Sequence, residues 1–90
     1  MSLLLGAVEG NLWATKKSAR LVGQTFLAVR LAGSGETLIC ADCVGAGAGE
    51  LVLVATGGAA RAALGQDVPV DAAIVGIIDG DSGYEGTDKR

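Results

Sequence analysis

The fold class is decided by two apolar runs, LVLVAT at residues 51–56 and DAAIVGIID at residues 71–79. Val52 and Val54 alternate with Leu51 and Leu53, which is the period of a β-strand rather than of a helix. Both faces of each run are apolar, so both faces need cover. A core can cover one face only. The two runs therefore predict strands of a small sheet whose second face lies against something else.

Working outward, alternating patterns predict three more strands, at residues 3–15, 25–31 and 37–43. Gly6 and Gly10 are the expected bend or bulge points of the first strand. Residues 57–64 have the only helix propensity, and Gly65 ends that helix. Five short strands and one short helix predict an all-β fold, a small five-stranded closed barrel of the oligonucleotide/oligosaccharide-binding type. The barrel domain spans residues 1–79, and residues 80–90 form a polar, glycine-rich tail that we expect to be flexible.

Composition excludes several kinds of function. The 90 residues include no histidine, so no Ser-His-Asp triad, Cys-His pair or histidine-ligated metal is possible. Aromatic residues make up 3% of the chain and the net charge is −3, which argues against nucleic-acid binding. Trp13 and Phe26 are predicted to be packing residues rather than a stacking pair. The sequence thus predicts no enzyme activity and no cofactor.

The two cysteines form the motif Cys40-Ala41-Asp42-Cys43. In redox proteins a C-x-x-C motif opens a helix, which brings the two thiols together. Here the motif lies in a predicted strand, whose geometry points the two thiols to opposite faces. We therefore predict packing thiols, with a redox or metal module as the weaker alternative.

Two glycine-rich segments could be either ligand-binding loops or structural connections. Residues 45–49, Gly-Ala-Gly-Ala-Gly, lack the spacing and the following helix of a dinucleotide loop, and no Walker lysine follows. Residues 57–61 do precede a short helix, but two glycines alone specify no ligand. Tight connections or close approach to another chain explain both segments better.

No membrane or export segment is expected. The start of the chain lacks the basic region of a signal peptide, and the longest apolar run has only seven residues. The sequence therefore predicts a cytoplasmic protein that binds no membrane.

The segments together resemble the EutN/CcmL family of bacterial microcompartment vertex proteins. The similarity covers nearly everything from residue 4 to residue 79 in order, and the matching stretches are residues 8–16, 21–23, 26–29, 41–54, 57–61 and 70–79. The family commonly has serine where this chain has Gly58 and Ala59, and the tail at residues 80–90 has no counterpart.

The resemblance implies a cyclic homopentamer at the vertices of a polyhedral shell, such as a carboxysome or metabolosome, in the bacterial cytoplasm. Its partners would be other copies of itself and hexameric and pseudohexameric shell proteins. The subunit interface is expected at the fifth strand and the two glycine segments, with Arg61 pairing across it to Asp42 or Asp71. The candidate interface residues are Asp42, Gly45, Gly47, Gly49, Gly57, Gly58, Arg61, Asp71, Val75 and Ile77. The alternative function is a non-catalytic barrel that binds a ligand or nucleic acid.

Overall fold

A computed structural model describes residues 2–13, 18–65 and 70–79, which form a closed barrel of five strands with one short α-helix. The elements are β1 (Ser2–Leu12), β2 (Phe26–Leu31), β3 (Thr37–Asp42), β4 (Leu51–Thr56), α1 (Gly58–Leu64) and β5 (Ala72–Ile78), with a 3₁₀ turn at Ala19–Leu21 before β2. The order around the barrel is β1-β2-β3-β5-β4. Only the β3–β5 pair is parallel. The predicted fold class is confirmed, whereas the predicted tail at residues 80–90 lies outside the described residues.

The core is aliphatic and lies inside the barrel. Leu27, Val29, Val52, Val54 and Ile74 are all fully buried, and each alternates along its strand with residues that point outward. Burying one such side chain stabilises the fold by about 1.5–3 kcal/mol. The scarcity of aromatic residues therefore matches a narrow barrel filled by Val, Leu and Ile.

β1 holds both glycines for which a special role was predicted. The pairing of β1 with β2 shifts register between Val8 and Gly10, so the predicted bulge near Gly10 is confirmed. Gly6 stays in regular pairing with Leu31 on β2 and Val52 on β4, so it is not a bulge. A Cβ at Gly6 would lie 2.5 Å from Val29 Cγ1 and 2.9 Å from the Arg30 carbonyl oxygen. Gly6 is thus required by the close approach of β2.

A second bulge, in β5, corrects the predicted alternation. Leu53 pairs with Gly76 and Val54 with Ile74, which leaves Val75 without a partner opposite it on β4. Regular alternation would place Ile77 on the face of Val75, opposite to Ile74. Instead Ile77 pairs with the inward-facing Val52, because one extra residue switches the face of everything after it.

The prediction that Trp13 is a packing residue is wrong for the single chain. Its side chain is 86% exposed at the end of β1, whereas Phe26 is half-buried. Trp13 directly follows Leu12, whose backbone pairs with Phe26 on β2. A large apolar side chain is therefore left exposed beside the barrel wall.

Candidate subunit interface

The glycine-rich loop after β3 is held rigidly by two carboxylates of its own chain. Asp42 accepts hydrogen bonds from the backbone N–H groups of Val44, Gly45 and Ala46 at 3.0–3.1 Å. Glu50 Oε1 accepts from the N–H of Gly47 at 2.6 Å. These bonds give the loop one defined shape.

The same loop is attached to the barrel at both of its ends. The N–H of Cys43 donates to the carbonyl of Ile74, while Gly49 and Glu50 exchange backbone hydrogen bonds with Val8. Ala46 packs against the core between these two attachments. A cleft beside the loop is lined by Gly49, Glu50, Leu51, Ile77, Ile78 and Asp79. The structure therefore brings the predicted residues Gly49 and Ile77 together.

The start of α1 forms a second group of predicted residues. Gly57 donates its N–H to the carbonyl of Asp71 at 2.8 Å, and its φ of 62° and ψ of −134° favour glycine. Gly58 begins the helix, and Arg61 is exposed one turn later. α1 packs on β4 and β5, where Ala55 and Ala73 are buried although their register places them on the outer side.

The two acids proposed as partners of Arg61 differ in the contacts that they already make. Asp42 already accepts three backbone N–H groups. Asp71 is exposed and lies beside the start of α1. The one ion pair among the described residues joins Arg30 and Glu9, so the guanidinium of Arg61 makes none with an acid in that part of the chain. Asp71 is the better placed acid for a contact between subunits.

The predicted interface glycines fall into two classes. Gly45, Gly49 and Gly57 have positive φ, so the backbone of the chain itself requires glycine there. Gly47 and Gly58 do not, and their surroundings would admit a Cβ: at Gly47 the nearest atom is 3.7 Å away, and at Gly58 none lies within 4 Å. Nothing in the described part of the chain therefore explains why these two positions are glycine.

Strand register identifies two outward-facing apolar patches. Residues that pair directly across strands point to the same face of the sheet. A residue that pairs with an inward-facing core residue therefore belongs to neither patch. The first, called the Leu53 patch, extends across β1, β4 and β5 and consists of Leu3, Leu5, Leu51, Leu53 and Ile78. The second, called the Ile39 patch, extends across β1, β2 and β3 and consists of Leu12, Phe26, Ala28 and Ile39. The sequence predicted an apolar outer face on β4 and β5, but sequence reasoning missed the Ile39 patch.

A polar cluster on the outer surface was also missed. Glu9 lies at the β1 bulge, and its Oε2 is 2.8 Å from both Nε and Nη2 of Arg30. Thr37 donates its hydroxyl to Glu9 Oε1 at 3.3 Å, and Arg30 also donates to the carbonyl of Gly35. These residues are far apart in sequence, and only the pairing of β1, β2 and β3 brings them together.

The two thiols are separated as predicted. Cys40 is buried in the core and Cys43 is exposed, and both are free. Burial raises the pKa of the Cys40 thiol to about 11, and burial together with the Asp42 charge raises the pKa of Cys43. Both thiols are thus protonated near neutral pH, which disfavours thiolate chemistry. Within the described ranges no three His, Cys, Asp or Glu residues are grouped so that they could hold a metal.

The helical part of the described structure has no membrane-spanning element. No helix there is long and apolar enough to cross a membrane.

Comparison with protein families gives one match over most of the chain. The family model for "Ethanolamine utilisation protein EutN/carboxysome" matches residues 3–79. The bacterial microcompartment shell vertex protein GrpN of Rhodospirillum rubrum is 42% identical over 83 residues, covering 86% of this chain and 93% of GrpN. The carboxysome shell vertex protein CcmL of Thermosynechococcus vestitus is 44% identical over 81 residues, covering 83% and 82%.

Solved structures of similar proteins share the barrel. The pentameric microcompartment shell protein GrpN of Rhodospirillum rubrum superposes with a TM-score of 0.76 at 38% identity, covering 84% of this chain and 93% of that one. The pentameric shell protein MSM0273 from the RMM microcompartment superposes with a TM-score of 0.79 at 37% identity, covering 92% and 98%.

Proposed function

The chain belongs to the EutN/CcmL family, and from this membership we propose that it is a structural shell protein of a bacterial microcompartment. It assembles as a homopentamer that occupies a five-fold vertex of the shell in the bacterial cytoplasm. The observation that carries the proposal is the similarity, along nearly the whole barrel, to shell vertex proteins and to solved pentamers.

Such a protein works through its shape. A layer of hexagonal units stays flat, and replacing a six-fold unit by a five-fold one introduces the curvature that lets the layer close. We infer that the rim of this pentamer contacts hexameric or pseudohexameric shell proteins. No catalytic step and no cofactor is part of this function, in keeping with a chain that has no histidine.

We place part of the subunit contact at the glycine loop, the start of α1 and β5. Two features of the described residues support this assignment. Their contacts and backbone angles give no reason for glycine at Gly47 and Gly58, and they contain no ion-pair partner for Arg61. Ile77 beside Gly49 is 43% exposed, and Val75 at the β5 bulge is half-buried, so both leave apolar surface accessible.

Native mass spectrometry of the purified full chain tests the proposed function. We expect a single dominant species with five times the mass of the chain across micromolar concentrations. A chain that stays monomeric or dimeric over that range contradicts the proposal. Co-expression with a hexamer-forming shell protein from the same genome then tests vertex closure, because closed shells should appear only when the pentamer is present.

A further inference from the structure

We propose that the ring is closed by contact between the two apolar patches, the Leu53 patch of one subunit and the Ile39 patch of the next. The inference rests on the proposed function, because the occupant of each patch is a second copy of this chain. It adds the identity of the two surfaces that meet.

The Leu53 patch has the composition of a buried surface but is only half-buried in the single chain. Leu5 pairs with Leu53, and Leu53 pairs with Gly76, so three adjacent strands present a continuous apolar row. Leu3, at the edge of this row, is 62% exposed. α1 covers the neighbouring outer side at Ala55 and Ala73, and it stops short of the patch.

The Ile39 patch lies on the other side of the barrel and is built in the same way. Ala28 pairs with Ile39 across β2 and β3, and Phe26 pairs with Leu12 across β1 and β2. Ile39 is 53% exposed, and the exposed Trp13 follows Leu12 directly. An exposed isoleucine on a sheet face, with an exposed tryptophan just after the end of β1, is typical of a surface that is buried in an assembly.

Two groups of residues keep the patches apart. On one side the polar cluster of Glu9, Arg30 and Thr37 lies between them, in the row of residues that joins Thr37 and Arg30 to Ala7. On the other side a row leads from Phe26 through Ala41 and Ala73 to Ala55, and α1 packs on β4 and β5, the two strands at its Ala55 end. The chain thus offers two distinct apolar surfaces.

A five-fold ring needs two such surfaces. Its contacts are head to tail, so each subunit presents one surface to the neighbour ahead and a different one to the neighbour behind. A single self-complementary patch would instead produce a two-fold dimer. Two separate patches match the requirement of the ring.

Besides the Glu9–Arg30 pair between the patches, each patch has an exposed charge of its own, and these charges differ in sign. The exposed carboxylates of Glu50 and Asp79 directly adjoin Leu51 and Ile78 of the Leu53 patch. Arg20 is exposed on the 3₁₀ turn that leads into β2, a strand of the Ile39 patch, and makes no ion pair within the described ranges. A head-to-tail contact can bring these opposite charges together, which would favour the pairing of unlike patches.

The first experiment charges one patch at a time. Leu53→Glu and Ile39→Glu each place a charge in the centre of one patch, on the outer face where the single subunit tolerates it. We expect each variant to lose the pentamer in native mass spectrometry while its circular dichroism spectrum is unchanged. Leu53→Met and Ile39→Val are the matched controls and should assemble as the wild type does.

The second experiment mixes the two charged variants. Leu53→Glu subunits keep an intact Ile39 patch, and Ile39→Glu subunits keep an intact Leu53 patch. Together they can form one productive contact, so we expect a one-to-one heterodimer that grows no further. A mixture that stays monomeric as concentration is raised overturns the pairing of unlike patches.

Other outcomes are equally decisive. If the wild type is pentameric and either charged variant still forms pentamers, the patch inference fails while the proposed function stands. If the wild type forms no ring, the proposed function itself fails. Leu3→Glu and Leu12→Glu, at more exposed positions of the same patches, replace any variant that does not fold, and they carry the same expectations.

Discussion

At the scale of single residues, the two cysteines show how burial decides reactivity. The Cys40 thiol of β3 lies in the core of the barrel, and Cys43 is three residues later on the surface. β3 ends at Asp42, and Cys43 follows it on the surface while Cys40 faces the core, so the C-x-x-C spacing that suggests a redox pair in a helix has no such meaning here.

Burial of Cys40 predicts a loss of stability at high pH. The thiol has a pKa of 9.0 in the unfolded chain and about 11 in the fold. The protonated thiol's contribution to the free energy of unfolding is therefore fully present below pH 9. It is lost as pH rises toward 11, because the thiol gives up its proton in the unfolded state first. At 1.36 kcal/mol per pH unit, this loss approaches about 2.7 kcal/mol.

Urea unfolding of the wild type and of Cys40→Ala at pH 8, 9, 10 and 11 measures this effect. The difference in unfolding free energy between them should shrink as pH rises. A constant difference would show that Cys40 does not titrate with unfolding. As a second measurement, a thiol reagent at pH 8 should modify Cys43 quickly and Cys40 only when the protein unfolds.

Gly58 allows a residue-scale test of the subunit contact. A Cβ there would meet no described atom within 4 Å, and alanine is a better helix former by up to about 1 kcal/mol. We expect Gly58→Ala to leave the single subunit equally stable or more stable and yet to weaken the pentamer. Native mass spectrometry measures the assembly, and thermal unfolding in the non-assembling Leu53→Glu background measures the fold.

Gly65→Ala is the control for Gly58→Ala. Gly65 ends α1 with a φ of 98°, so alanine there strains the backbone and should lower the unfolding temperature of the subunit. A Gly58→Ala protein that forms pentamers as readily as the wild type would mean that no neighbouring chain approaches this glycine.

At the scale of secondary-structure elements, β1 and β5 show where alternation is interrupted. Each contains one bulge, after Val8 in β1 and at Val75 in β5. The β1 bulge carries Glu9, which binds Arg30 and Thr37 of the next two strands. Bulges increase local twist, which helps five short strands close into a barrel.

Replacing Gly6 tests how closely β1 and β2 approach each other. Alanine would place its Cβ 2.9 Å from the Arg30 carbonyl oxygen, a backbone atom that cannot move without separating the strands. We expect Gly6→Ala to destabilise the subunit by about 1–3 kcal/mol, the usual cost of overpacking. Denaturant unfolding in the Leu53→Glu background measures it without interference from assembly.

Gly10→Ala is the matched control on the same strand. A Cβ at Gly10 would have no neighbour within 4 Å, and its φ is not positive. Its unfolding free energy should stay within about 0.5 kcal/mol of the background. Equal stability of the two variants would contradict the close approach at Gly6.

At the scale of the whole molecule, the barrel has a filled core but leaves large apolar side chains exposed on its outer surface. A domain of 90 residues buries a smaller fraction of its surface than a larger one does. Here inward-facing side chains of the strands fill the core, yet Leu3, Ile39 and Trp13 remain more than half exposed. Association covers such side chains, and a vertex protein is a molecule whose function is that association.

The sequence by itself determined the barrel, its five strands and its helix, because a period of two and the turn residues between runs are local properties. The family resemblance also came from the ordered segments alone. The face to which Ile77 points could not be read from the chain, since alternation does not show which residue a bulge leaves unpaired.

Only the tertiary structure decided which outer surfaces are apolar and separate. The Glu9–Arg30–Thr37 cluster and the Ile39 patch join residues from three strands, and their register depends on closure of the barrel. Composition had identified an aliphatic chain without catalytic groups. Three-dimensional pairing showed where those aliphatic side chains face outward, because a surface patch is a property of neighbouring strands and not of any one of them.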